Sequence, residues 1–239
     1  TLLNSAIVNR CESFTLISTD KAVRPTNVMG ATKRLAELIC QAVANEPSNL
    51  KISIVRFGNV LGSSGSAIPT FREQIRCGGP ITITHPKITR FFMTIPEAAQ
   101  LVIQASSIAD NGDVVLLDMG ELIKMSDLAV RMIRLAGRTV ANEDKEQAPG
   151  AIQIVYTGLR PGEKLYEELL IDADSQATSH PRIMKAKEFF LSQKELQPLL
   201  SSVYLAAESR NFPKLKELLL SVGIGYQPEV GEMVNRDFK

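Results

Sequence analysis

Thr19, Asp20 and Lys21 place a hydroxyl, a carboxylate and an amine side by side, three groups able to relay, donate or accept a proton. Such a run can support acid–base work on the carbons and hydroxyls of a bound substrate. Met29 and Lys33 follow, four residues apart, a spacing that puts both on one face of a helix. They are therefore expected to point toward the same ligand. A thioether is neither acid nor base, so Met29 leaves proton transfer to its neighbours.

The surrounding elements must hold these groups together. Phe14-Thr15-Leu16-Ile17-Ser18 reads as a short strand, and in open α/β sheets ligands lie at the carboxyl ends of strands. Thr19, Asp20 and Lys21 are thereby expected to face a crevice. A helix over residues 27–44 is entered near Pro25, with Thr26 or Asn27 as its N-cap. The break at Glu46-Pro47-Ser48-Asn49 leads to a second strand, 51–57, and this alternation predicts a parallel α/β sheet.

Further along, residues 58–66 read as a Gly/Ser loop, 68–77 as a helix closed by Gly78-Gly79-Pro80, and 81–84 as a strand. Thr94 and Glu97 form a capping-box pattern opening a helix to about Ala109, with Pro96 tolerated in its first turn. A strand at 113–118, a helix at 126–136 stopped by Gly137, a polar loop at 138–150, a strand at 152–156 and a helix at 162–170 follow. Beyond Pro181 the pattern predicts two helices, 193–209 and 212–222, with a polar tail after Gly225. Residues 1–8 read as the middle of an amphipathic helix, without a cap before it, so the chain is expected to start inside a domain.

Composition narrows the classes. The 239 residues are 44% hydrophobic with a formal net charge of +1, ordinary for a globular protein and without the basic excess of a nucleic-acid or anionic-membrane binder. Cys11, Cys40 and Cys77 are odd in number and lack a C-x-x-C pair, which predicts reduced, buried thiols. His85 and His180 are too few and too far apart for a metal cluster. No segment approaches the ~20 apolar residues of a membrane span. Gly62-Ser-Ser-Gly65 lacks the spacing of a dinucleotide-binding turn.

The segment Ser18–Arg34 resembles the active-site stretch of the extended short-chain dehydrogenases. It is closest to the nucleotide-sugar 4,6-dehydratases of the polysaccharide-biosynthesis (CapD-type) family, in which Ser-Thr-Asp-Lys-Ala-Val, Gly-Ala-Thr-Lys-Arg, Arg-Phe-Gly-Asn-Val-Leu-Gly-Ser and Leu-Arg-Pro-Gly-Glu-Lys-Leu recur in that order. All four are present here, and the resemblance runs to about Lys187. Met29 stands where most relatives carry the catalytic Tyr.

The resemblance implies that Lys33 hydrogen-bonds the nicotinamide ribose of NAD, with Ser18 beside it, while Thr19, Asp20 and Lys21 approach the sugar. It implies that Asn59 contacts the nucleotide-sugar, that the stretch around Ser64 lines the nucleotide side, and that Arg90 and Arg160 clamp the diphosphate. Glu163 would orient one of these arginines or the ribose. The pyrophosphate-binding Gly-rich turn is expected N-terminal to residue 1.

The expected fold class is α/β: the C-terminal part of a Rossmann-type parallel sheet over residues 1–61, rejoined by segments near 94–118. A smaller α/β substrate domain over 62–187 and a helical extension over 188–239 complete it. The implied reaction is NAD-dependent 4,6-dehydration of a UDP-N-acetylhexosamine, UDP-GlcNAc first among candidates, for bacterial polysaccharide, O-antigen or capsule synthesis. Elimination needs a base at C5 and an acid at the C6 hydroxyl, roles open to Lys21 and Asp20. The demands oppose each other, since a cationic Lys21 favours the ionised carboxylate. Expected partners are the UDP-sugar and further copies of the chain, in the cytoplasm or tethered to the inner membrane through a preceding region. The rival readings are an epimerase or reductase of the same superfamily, and a fragment that binds nucleotide-sugar without catalysis.

Overall fold

A computed structural model describes residues 1–141, 149–168 and 175–228. The elements run α1 (Leu2–Val8), β1 (Ser13–Ile17), α2 (Val28–Ala44), β2 (Lys51–Arg56), β3 (Asn59–Val60), α3 (Ala67–Arg76), β4 (Ile81–Ile83), β5 (Thr89–Arg90), β6 (Phe92–Met93) and α4 (Ile95–Ile108). They continue through β7 (Val114–Leu117), β8 (Ile123–Lys124), α5 (Met125–Leu135), β9 (Ile154–Tyr156), β10 (Ser175–Ala177), β11 (Ile183–Ala186), α6 (Gln193–Glu208) and α7 (Phe212–Ser221). Two compact units divide the chain, with one boundary inside α4 at Ala99 and Gln100.

The first unit holds residues Thr1–Phe57, Gln100–Asp118 and the chain from Glu168 onward. Its sheet has the order β1-β2-β7-β11-β10. β1, β2 and β7 are parallel, with Leu16 beside Ile54 and Val55 beside Val115. Interior parallel strands are covered on both faces, which is why β7 is wholly apolar and β2 is buried along nearly its whole length, Ser53 and Arg56 included. β11 then pairs antiparallel with β7, and β10 with β11.

Two differences from the sequence reading lie here. Residues 183–186 form a strand in a stretch expected only to lead into helices: Ile183 is fully buried beside Leu117, but four residues carry too little pattern to announce themselves. Residues 175–187 and the two C-terminal helices, read as substrate domain and separate extension, belong to this sheet unit. Leu196, Leu219 and Val222 share one apolar cluster with Leu35, Leu38 and Ala42 of α2.

Local chemistry fixes the helix ends. The Asn27 side chain accepts the Gly30 N–H at 2.8 Å and caps α2. Ser192 and Glu195 form a reciprocal capping box at α6, and Thr94 and Glu97 do the same before α4. No helix of the described residues is long and apolar enough to cross a membrane. Of the cysteines only Cys40 is buried; Cys11 and Cys77 are exposed, contrary to expectation. Burial, with the charge of Glu37 adding to it, pushes the Cys40 thiol up to about 11, where it is inert.

The second unit, Gly58–Ala99 with Met119–Glu167, is built around Phe71, Ile75, Ile81, Ile83, Met125, Ala129, Ile133 and Ile152. Residues 59–60, expected in a loop, pair as β3 in parallel with β6. Residues 162–168, expected to be helical, form turns instead. Glu163 holds them there by accepting from the Arg160 N–H while its own N–H bonds back to the Arg160 carbonyl. Residues 169–170 of that expected helix, 142–148 of the polar loop and the tail from 229 lie outside the described residues.

Candidate active site

The β1–β2 pairing continues past β1, with Ser18 N–H to Val55 O at 2.8 Å and Asp20 N–H to Phe57 O at 3.2 Å. The chain then tightens into a single 3-10 turn, Asp20–Ala22, whose N-cap is Thr19. This brings Asp20 under cover: its exposure is 0%. One carboxyl oxygen, Oδ1, accepts both the Thr19 hydroxyl at 2.8 Å and Lys21 Nζ at 3.0 Å. The other, Oδ2, is buried without a hydrogen-bond partner. A buried polar atom in that state is costly, and such atoms mark places where a ligand or water completes the set.

Gly30 explains how α2 comes so close. A Cβ there would lie 2.2 Å from the Lys21 carbonyl oxygen, so any side chain would drive the first turn of α2 off the Asp20–Lys21 turn. The two segments are thus set against one another backbone to backbone. Met29 stands half-exposed. Lys33 Nζ donates to the Ile17 carbonyl at 3.3 Å, which anchors it at the carboxyl end of β1. An ammonium has three donors, so two remain for a diol such as the ribose of a nicotinamide nucleotide. Lys33 therefore fits the role expected of it toward NAD.

Ser18 is placed differently. Its hydroxyl turns inward and donates to Glu37 Oε1, and the residue is 5% exposed. It belongs to a buried charge network that the sequence reading missed. Arg56 grips Glu37 through Nε at 2.7 Å and Nη2 at 2.6 Å, and pairs with Glu188 through Nη1. Arg34 bonds Glu37 at 2.9 Å and Glu188 at 3.3 Å. Two guanidinium and two carboxylate groups balance in a region where Arg56 and Glu37 are fully enclosed. The visible signal was Arg34, Glu37 and Gln41, a polar row at helical spacing beside the apolar stripe of α2.

In the second unit Arg90 and Glu163 come together, as do residues not singled out. Arg90 Nη2 meets Glu163 Oε1 at 3.1 Å and Arg90 Nε meets Glu167 Oε1 at 3.3 Å. Thr84 donates to the same Glu163 oxygen at 3.1 Å. Arg90 thus sits between two carboxylates, Glu163 and Glu167. Arg160 is exposed, and its guanidinium has no partner among the described residues. Asn59 donates its amide to the Phe91 carbonyl at 3.1 Å, and its side-chain carbonyl oxygen has no donor among the described residues. Ser64 is exposed.

Residues 1–188 match the family described as polysaccharide biosynthesis protein. The chain belongs to that family. Within it, the chain is 54% identical over 166 residues to the capsular polysaccharide biosynthesis protein CapD of Staphylococcus aureus, a match covering 70% of this chain and 26% of CapD. It is 30% identical over 234 residues to a UDP-glucose 4-epimerase of Rickettsia massiliae, covering 92% of this chain and 65% of that one. The X-ray structure of Pen from Bacillus thuringiensis superposes with a TM-score of 0.65 at 31% identity, covering 83% of this chain and 64% of Pen. This family member thus spans about a quarter of the length of CapD, and its mixed α/β fold with a parallel sheet is the one expected.

Proposed function

We propose that the chain carries the acid–base machinery of an NAD-dependent nucleotide-sugar enzyme of polysaccharide biosynthesis. Within that class we propose 4,6-dehydration of a UDP-N-acetylhexosamine, UDP-GlcNAc first. The observation that carries the reading is Asp20, enclosed, with both donors on Oδ1 and Oδ2 open.

NAD, when bound, supplies a hydride acceptor for C4 oxidation and the hydride that ends on C6; Lys33 would hold its ribose. Thr19, already bonded to Asp20, takes the C4 hydroxyl proton and passes its own inward, which leaves Asp20 protonated. Asp20 then protonates the departing C6 hydroxyl, and water leaves. For the elimination the Lys21 ammonium must first have given one proton to solvent; the amine then takes the C5 proton and returns it. The protons balance, and the product is a 4-keto-6-deoxy sugar.

Because Met29 replaces the phenol that could protonate C5 from the opposite side, Lys21 acts from one face and C5 keeps its configuration. With the Gly-rich turn expected before residue 1 joined to the chain, reaction of UDP-GlcNAc in D2O, followed by NMR, is expected to give a 4-keto-6-deoxy product retaining C5 configuration. A product that keeps its C6 hydroxyl with C4 inverted would instead establish the epimerase reading, which the Rickettsia relative favours. An inverted C5 as first product would require a second proton donor.

Arg160, whose guanidinium has no partner among the described residues, is the arginine assigned to the diphosphate. Arg160→Ala is expected to weaken UDP binding about ten- to a hundredfold, as loss of a charge-assisted hydrogen bond does, measured by calorimetric titration. Unchanged affinity would leave it a surface residue.

A further inference from the structure

The match to the family ends at residue 188, yet the chain beyond it returns to the catalytic turn. After α7, Ile224 and Tyr226 are 3% and 4% exposed and join the cluster that contains Ala31, Leu35 and Leu38 of α2. The next residue, Gln227, donates its N–H to the Pro25 carbonyl at 2.8 Å. Pro25 lies between the Asp20–Ala22 turn and the Asn27 cap of α2. Beside it, Arg24 holds φ at 40°, in the left-handed region that side chains other than glycine avoid and that persists only where the surroundings over-determine it.

We propose that residues 223–228 are a positioning strap, with Tyr226 as its buried anchor, which holds the strained turn at 23–27. The strap thereby sets Asp20 and Lys21 against Met29 and Lys33. The physical demand for it is the Gly30 contact: with the Lys21 carbonyl pressed against a bare Cα, a small shift of the connecting turn separates the proton-transfer groups from the cofactor-side lysine. At its other end the same C-terminal region is fastened by Glu188 to Arg34 and Arg56, and by the Phe189 carbonyl to Arg34. Tyr226 is a positioning residue, since its effect on the chemistry passes through the turn.

The catalytic consequence rests on the proposed dehydratase reading, whereas the strap itself does not, and the test separates them. Tyr226→Ala and Gln227→Pro, the second removing the N–H that reaches Pro25 and fixing φ at 227 while leaving the Tyr226 side chain in place, are followed by amide hydrogen exchange on this chain. Each is expected to speed exchange at residues 22–27 at least tenfold while β1, β2 and β7 keep wild-type protection. Arg24→Gly, added to either variant, is expected to restore protection in the turn by relieving its strain. Unchanged exchange at 22–27, exchange rising equally across the sheet, or no rescue by Arg24→Gly would overturn the strap. Should Tyr226→Ala not fold, Gln227→Pro decides alone. In turnover assays both variants are expected to lower kcat about tenfold with KM within twofold. A responsive turn in a protein that does not dehydrate UDP-GlcNAc would leave the strap standing and remove the reaction.

Discussion

Asp20→Asn is expected to lower turnover on UDP-GlcNAc by about 10²–10⁴-fold, the usual contribution of a positioned acid or base, while the protein stays folded. The amide keeps the shape of the carboxyl, so its oxygen can still receive the Thr19 hydroxyl and Lys21 Nζ that Oδ1 receives now. What disappears is a second oxygen able to carry a proton. Stability should hold, because Lys21 is 27% exposed on its side-chain surface and an ammonium partly in water loses little when its partner is neutralised. Steady-state kcat and KM, with a thermal melt as control, test this. Turnover within threefold of wild type would take Asp20 out of the chemistry, and a lost melt would make its role structural.

The local geometry of the candidate site over residues 13–33 was legible because it is short-range. A strand end, a turn and the first turn of a helix are contained in residues 13–33, and their signals are short-range: the apolar run of β1, the Asn27 cap and the spacing of Met29 and Lys33. Long-range pairing was not legible. Glu188 reaches Arg56 across 132 residues of sequence, and Arg90 finds Glu163 across 73; nothing in composition or period joins such residues. Ser18 follows from that blindness. Once Arg56 and Arg34 fix Glu37, the Ser18 hydroxyl has a buried anion to serve. The helix expected at 162–170 is absent over its described part, 162–168, for a similar reason: Glu163 is drawn to Arg90 and Thr84, contacts no helical pattern can foresee.

The same network carries the largest expected effect on stability. Glu37→Ala is expected to cost about 3–5 kcal/mol, as removal of one partner of a buried ion pair does, because it strips Arg56 at 0% exposure of two bonds and Arg34 at 2% of one. Glu37→Leu combined with Arg56→Met should cost much less than the two single changes together, since no buried charge is then left facing a missing partner. The pH dependence has a definite sign. Burial pushes the Glu37 carboxyl up, but the Arg56 hydrogen bonds and charge, then Arg34 and Ser18, together bring it below its ordinary 4.5. The unfolded chain therefore binds the extra proton, so this contribution is present above 4.5 and is lost as pH falls through the folded value. Urea unfolding of wild type and Glu37→Gln, at a series of pH values spanning that point, should show a steep acid loss in the first and a shallower one in the second. Equal slopes would mean that other carboxylates govern acid unfolding, and a Glu37→Ala cost under about 1 kcal/mol would mean that the two arginines are satisfied without Glu37.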